Sequence, residues 1–219
     1  MVISHRLKYI FFHIPKTAGT SIRQVLLSPN FQVDVIGKWD GMDKEKIKNN
    51  SLIDWNLKQH SDITQIKEYF EKYTNYNYDE YFKFAFIRNP WDRQVSKYEF
   101  YMQKVYYQTD ASPVNAELAK RFRNLPAKEF LINIINHQHK FICEDDSVAV
   151  DFLGKFETLH DDMKEIVNTI LPGLPDACWS LPHKNKTKRK DYREYYDEES
   201  KQRIQEVCNK DIQLGNYQF

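Results

Sequence analysis

Apolar positions along the chain fall into two alternating kinds of run. Tyr9 to Ile14 lie in KYIFFHI (8–14), short, continuous and rich in β-branched and aromatic residues, and Pro15 breaks it; this predicts a buried strand. After PKTAGTS the apolar positions Ile22, Val25 and Leu26 step at helical spacing until Ser28-Pro29. The order strand, loop, helix then repeats. Asp62 opens a helical pattern through Ile63, Ile66, Tyr69 and Phe70, and YFKFAFI (81–87) follows as a strand covered on both faces. Beyond Arg88-Asn89-Pro90, the residues Trp91, Val95, Tyr98, Met102 and Val105 mark an amphipathic helix with Pro90 or Trp91 in its first turn.

The remaining pattern is weaker. Pro126 begins a helix through Phe130, Leu131, Ile134 and Ile135, and VAVDFLGKF (148–156) alternates like a strand. Thr158 with Asp161 fits a capping box for a helix ending near Pro172, and a last helix runs from about Asp197 with Ile204, Val207 and Cys208 inward. Residues 30–60 show no sustained period and read as loop with one short helix. Strands alternating with helices predict an α/β fold: a three-layer, P-loop-like arrangement with a central, largely parallel sheet flanked by helices and its ligand at the strand carboxyl ends.

Length and composition narrow the function. The 219 residues, 41% hydrophobic, suit a single domain spanning 1–219. Lys plus Arg (32) nearly cancels Asp plus Glu (31), so no global field points to nucleic acid or a membrane surface, and a basic site must be local. The chain has no 18-residue apolar run, and its polar start MVISHRLK lacks the apolar stretch of a secretory signal, which argues against a spanning helix or secretory leader. Three scattered cysteines without a CxxC pair suit a reducing compartment, so a cytoplasmic location is expected.

Two loops at predicted strand ends carry chemistry. In Pro15-Lys16-Thr17-Ala18-Gly19-Thr20-Ser21, small residues let backbone N–H groups converge at a helix N-terminus, where the dipole favours an anion; Lys16 adds charge, and Thr17, Thr20 and Ser21 add hydroxyls. The same string also fits a capped turn with an exposed lysine. It is not a Walker A loop, because Lys16 precedes the only glycine. In the second loop, Arg88 at a strand end and Ser96 within the next helix suit one phosphate, with the arginine contributing its planar fork. Alternatively, Arg88 pairs with Asp92 as a structural ion pair.

Taken together, IPKTAGTS and FIRNPWDRQVS closely resemble the sulfotransferases that use 3'-phosphoadenosine 5'-phosphosulfate (PAPS), and more narrowly the carbohydrate-type branch. The resemblance implies that Lys16, Thr17, Ala18, Gly19, Thr20 and Ser21 hold the 5' end of PAPS, and that Arg88 and Ser96 hold its 3'-phosphate. FLGKFE (152–157) is similar to the family's Gly-Arg-Phe-Glu strand, with Lys155 in place of the usual arginine. HKNKTKRKDYREYY (183–196) and the ending from Asp211 to Phe219 also look like the family's C-terminal pattern, while 28–57 and 103–136 match nothing recognisable. Residues 183–193 hold six cations against Asp191. By resemblance, Lys186, Thr187, Lys188 and Arg189 belong to a loop that covers the nucleotide.

The implied reaction moves a sulfuryl group from PAPS to a hydroxyl of a saccharide or related acceptor by in-line displacement, releasing 3',5'-bisphosphoadenosine. Such chemistry needs neutralisation of the leaving group, assigned to Lys16, and a base, with no metal required. Among seven histidines, His60 sits where the family often carries its catalytic histidine; the other reading is a surface histidine near a helix start. His137 and Glu157 are candidate acceptor contacts, with Glu157 a reserve base. His137-x-His139 lacks a fourth ligand at a spacing that would suit zinc. Acceptor recognition is expected from 28–60 and 103–140, whose Trp39, Trp55, Tyr106 and Tyr107 suit either stacking on sugars or core packing. The competing functions are a nucleotide kinase of P-loop type and a noncatalytic nucleotide- or polyanion-binding module.

Overall fold

Polar–apolar alternation is missing from YIFF and FKFAFI because both faces of these strands are buried. The computed structural model describes residues 1–38, 50–106, 122, 125–182 and 189–219, with backbone only for 103–106. Strands β1 (Val2–Ser4), β2 (Tyr9–Phe12), β3 (Val35–Lys38), β4 (Ile53–Lys58), β5 (Phe82–Ile87) and β8 (Phe152–Lys155) form a sheet in the order β4-β3-β1-β2-β5-β8. β6 (Cys143–Glu144) and β7 (Ser147–Val148) make a separate two-stranded ribbon. Three of the five pairings in the main sheet are parallel, β3 with β4, β2 with β5 and β5 with β8, while β1 runs antiparallel to both neighbours.

Contacts within the chain gather into two compact units. The first is built from the described residues of Met1–Trp39, Ile47–Ile87 and Gln138–Lys184 and contains the sheet. One sheet face presents Val2, Tyr9, Phe11, Phe84 and Phe86 to Ile22, Val25 and Leu26 of α1 (Gly19–Leu26) and to Met163, Ile166 and Val167 of α6 (Leu159–Ile170). The opposite side chains Ile3, Ile10, Phe12 and Ala85 are also fully buried. The single lysine of β5 is tolerated because Asp151 pins it at the strand's amino end: the Asp151 carboxylate accepts the Lys83 N–H at 2.7 Å and lies 3.5 Å from its ammonium. Helix α2 (Ile63–Tyr73) starts where a capping box predicts a start, with Asp62 accepting the Gln65 N–H at 2.9 Å and Gln65 accepting the Asp62 N–H at 3.2 Å.

The second unit is built from the described residues of Arg88–His137 and Asn185–Phe219. It contains α3 (Pro90–Tyr106), α4 (Ala127–Asn133), α7 (Glu198–Val207) and α8 (Asn209–Gly215); the short α5 (His139–Ile142) belongs to the first unit. Asn89 caps α3 through Oδ1, which accepts the Trp91 N–H at 3.1 Å, and Pro90 occupies the position where no N–H is needed. Trp91 packs with Ile204 and Cys208, its indole N–H donating to the Lys201 carbonyl at 3.1 Å. Among the described residues no helix is long and apolar enough to cross a membrane.

The structure adds to or corrects three expectations. The described residues of 30–60 include β3 and β4 besides a 3₁₀ turn at Pro29–Phe31, and Val2–Ser4 is a strand; each strand is only three to six residues long, so its signal is carried by pairing rather than by sequence period. The alternation over 148–156 splits at Asp151 into β7 and β8. Thr158 does not cap the N-terminal N–H groups of α6; it donates to Asp162 Oδ2 at 2.8 Å, and the same oxygen accepts the Lys155 N–H at 2.6 Å.

Gly154 in β8 is a close-packing site. A β-carbon there falls 2.5 Å from Cε1 of Phe86, a buried ring that cannot swing away. Gly154→Ala is expected to lower unfolding stability in urea by about 1–3 kcal/mol, the usual cost of overpacking. Adding Phe86→Leu should recover part of that loss, and a double variant no more stable than Gly154→Ala would contradict this packing.

Candidate active site

The sheet decides where the informative loops emerge. Because β1 is antiparallel to both β2 and β3, while β4 is parallel to β3 and β5 and β8 follow β2, the carboxyl ends of β2, β4, β5 and β8 lie at one sheet edge. The Pro15–Ser21 loop follows β2, His60 follows β4, and Glu157 follows β8; β5 ends at Ile87, and the next residue of the chain is Arg88.

Within the first unit, the Pro15–Ser21 loop is shaped by left-handed backbone at two non-glycine residues, Lys16 (φ 71°) and Ala18 (φ 67°). Such positions are unfavourable for residues with a β-carbon, and alternating handedness turns successive N–H groups toward one point. Between them Thr17 is fully buried, its hydroxyl donating to the Ile14 carbonyl at 3.0 Å, which ties the turn back to the strand end. Ala18 opens α1 without any side-chain cap, and no acidic residue stands in the first turn. Thr20 is exposed and Ser21 buried at the helix start. The N-terminus of α1 thus has no side-chain cap and no acidic residue in its first turn, an arrangement that suits an anion.

Gly19 has a steric reason. A β-carbon on it would fall 1.9–2.0 Å from ring atoms of His13, which lies directly over the turn. His13 is buried, stacked on Phe11 at 5.7 Å, and its Nδ1 accepts from the Gln59 amide at 3.1 Å. Burial, aided by His60 and Arg23, holds the His13 imidazole well below the usual histidine range, so it stays neutral. Half-buried His60 meets the His13 ring edge-on at 4.6 Å and donates its Nδ1–H to the His13 carbonyl at 2.6 Å. A carbonyl only accepts, so this bond puts the proton of neutral His60 on Nδ1 and the basic lone pair on Nε2. His60, His13 and the Gly19 turn thus form one packed group, and Glu157 is exposed in the 3₁₀ turn Phe156–Thr158.

Within the second unit, Arg88 makes the ion pair that was its alternative reading. Its Nε donates to Asp92 Oδ2 at 2.8 Å and its Nη2 lies 2.6 Å from the same oxygen. The other oxygen of Asp92 accepts from Arg189 Nη2. Ser96, half-buried, is one turn beyond Asp92 on the same helix face, and one turn further Glu99 accepts the Tyr195 hydroxyl at 2.6 Å. Arg189, Lys190, Glu194 and Tyr195 line a cleft of about 610 Å³. On another side of α3, buried Arg93 and half-buried Lys97 both donate to Asn136, at 3.2 and 3.3 Å, fixing the strip that ends at His137. Burial pulls the Lys97 ammonium down to about 8, with Arg93 adding to the effect.

Lys186, Thr187, Lys188, Trp39 and Tyr107 lie outside the described residues, as does the Tyr106 side chain. Sequence reasoning missed the support of His60 by His13 and Gln59, which pairing of distant strands creates, and the second arginine on Asp92. Only the i, i+4 spacing of Arg88 and Asp92 was readable in advance.

Comparison with known proteins gives the geometry its context. Carbohydrate sulfotransferase 14 of Mus musculus is 22% identical over 192 residues, covering 78% of this chain and 46% of its own length. The Homo sapiens protein of the same name is 21% identical over the same shares. An uncharacterized protein of Archaeoglobus fulgidus is 30% identical over 100 residues, covering 45% of this chain and 73% of its own. The chain therefore spans about half the length of the two carbohydrate sulfotransferases it matches. No solved structure matches significantly. A family model described as "Sulfotransferase family" matches residues 1–218, nearly the whole chain, and the protein belongs to the sulfotransferase family.

Proposed function

We propose that the chain is a PAPS-dependent carbohydrate sulfotransferase in which residues 1–219 act as one catalytic domain of P-loop-like architecture. The reading stands first on the Lys16–Ser21 turn, whose two left-handed residues and helix N-terminus without a side-chain cap suit an anionic group such as a phosphosulfate. Family membership and two relatives named as carbohydrate sulfotransferases support it.

PAPS would supply an activated sulfuryl group and leave as 3',5'-bisphosphoadenosine. In this reading the N–H groups of 17–21 and the Thr20 and Ser21 hydroxyls bind the 5' end. Lys16 neutralises charge that builds on the bridging oxygen. Arg88 and Ser96 hold the 3'-phosphate, and Arg189, with Lys186, Thr187 and Lys188, covers the nucleotide. His60 Nε2 takes the proton of the acceptor hydroxyl, its ring oriented by the Nδ1–H bond to His13. Glu157 and His137 belong to acceptor binding, the acceptor being a saccharide hydroxyl. No step calls for a metal ion.

Three expected outcomes test this. Saturating 3',5'-bisphosphoadenosine, at about 100 times its Kd, should stabilise the protein by about 2.7 kcal/mol, a melting-temperature rise of about 5–10 °C for a chain of this size. ADP and magnesium-ATP should do much less; a shift for magnesium-ATP alone would instead indicate a kinase. Lys16→Ala should lower sulfuryl transfer to a saccharide panel, read as release of 3',5'-bisphosphoadenosine, by about 10²–10³-fold, the scale of a lost charge-stabilising donor. His60→Gln should lower turnover by about 10²–10⁴-fold while leaving bisphosphate affinity near wild type; full turnover in this variant would remove His60 from the mechanism.

A further inference from the structure

One carboxylate in the second unit serves two arginines. Asp92 gives Oδ2 to Arg88, side-on through Nε and Nη2, and Oδ1 to Arg189, 97 residues later in the chain. All three side chains are shielded: Arg88 is 8% exposed, Asp92 14% and Arg189 15%. Two guanidinium groups thus share one carboxylate at a place with little water. Moreover, Arg189 Nη1 is buried and has no hydrogen-bond acceptor among the described residues. A buried guanidinium nitrogen without an acceptor is costly in a ligand-free protein and becomes favourable when an anionic oxygen arrives.

The surrounding contacts make this arrangement directional. Asp92, Ser96 and Glu99 follow one another along one face of α3. The segment carrying Arg189 is fastened to that face at two points, Asp92 to Arg189 and Glu99 to Tyr195. Ser96 lies between the two fastenings. Asn89 anchors the start of the helix by donating to the Gln218 carbonyl at 2.9 Å and accepting the Trp91 N–H, so Asp92 projects from a fixed first turn.

We propose that Asp92 is a positioning residue for the donor: it holds Arg88 and Arg189 as two halves of one receptor for a phosphate dianion, so that recognition of the 3'-phosphate depends on the 189–195 segment being seated on α3. The inference rests on the reading of Arg88 and Ser96 as 3'-phosphate residues. Asp92 does not touch the ligand. Its charge offsets the repulsion between two guanidinium groups brought together, and its Oδ1 sets the direction in which Arg189 presents Nη1.

The test compares two isomers that carry the same phosphates at different positions, 3',5'-bisphosphoadenosine and ADP, by isothermal titration calorimetry on the full chain. The ratio of their affinities reports 3'-phosphate recognition. Asp92→Asn is expected to lower that ratio by about tenfold or more, the scale of a lost charge-assisted bond, with ADP affinity falling less than bisphosphate affinity and the melting temperature lowered, because two shielded guanidinium groups lose their shared carboxylate. Arg189→Met should do the same, and the double variant should be little worse than either single one, because both remove one linked element. Asp92→Glu should recover part of the ratio. An unchanged ratio in Asp92→Asn would overturn the proposal, as would equal loss for both nucleotides, which marks a merely structural ion pair. Tighter bisphosphate binding would also overturn it, since Asp92 would then be competing with the ligand for the arginines. A wild-type protein that does not prefer the 3'-phosphate isomer would instead sink the donor assignment itself, and this inference with it.

Discussion

Parallel hydrogen bonding of β2 with β5 and of β5 with β8 is the constraint on which everything else depends. In a parallel pair the strands leave at the same end, so the loop after each must emerge at one sheet edge. The register, with Phe12 beside Ala85 and Ile87 beside Lys155, fixes how far along that edge each chain segment starts. The strands can be parallel only because both their faces are buried, and they are buried because aromatic and branched residues occupy every position of YIFF and nearly every position of FKFAFI. A residue type chosen for packing thus determines where the polar chemistry appears.

Close approach then shapes the chemistry. The missing β-carbon of Gly19 lets the His13 ring lie on the turn, and the His13 carbonyl accepts the Nδ1–H hydrogen bond of His60. His13 must be neutral to fill this place, and its burial keeps it so. A glycine thereby acts on a histidine 41 residues downstream through an intermediate ring rather than through any flexibility of its own. The left-handed Lys16 and Ala18 are the strained part of this region, and Thr17, bonded to the Ile14 carbonyl, helps hold that strain in place.

Charge is handled locally in the same spirit. The chain is close to neutral overall, yet three cations gather at the start of α3, Arg88 just before it and Arg93 and Lys97 in its first turns. Each is answered differently: Arg88 by the Asp92 carboxylate, Arg93 and Lys97 by the carbonyl and amide oxygens around Asn136. Burial, with Arg93 close by, lowers the proton affinity of Lys97.

The sequence by itself determined the long elements and the two loops. Period-3.6 and continuous apolar runs identify α2, α3, β2 and β5, the Asp62 and Asp197 caps mark helix starts, and IPKTAGTS with FIRNPWDRQVS points to the family, because these signals are local and repeat over enough residues to be read. Only the tertiary structure decided that Val2–Ser4, Val35–Lys38 and Ile53–Lys58 complete the sheet, since strands of three to six residues owe their form to partners elsewhere in the chain. It alone decided that His60 is oriented by His13 and that Asp92 holds both Arg88 and Arg189. Those contacts join residues 47 and 97 positions apart, a separation at which no sequence period survives and only the folded geometry selects a partner.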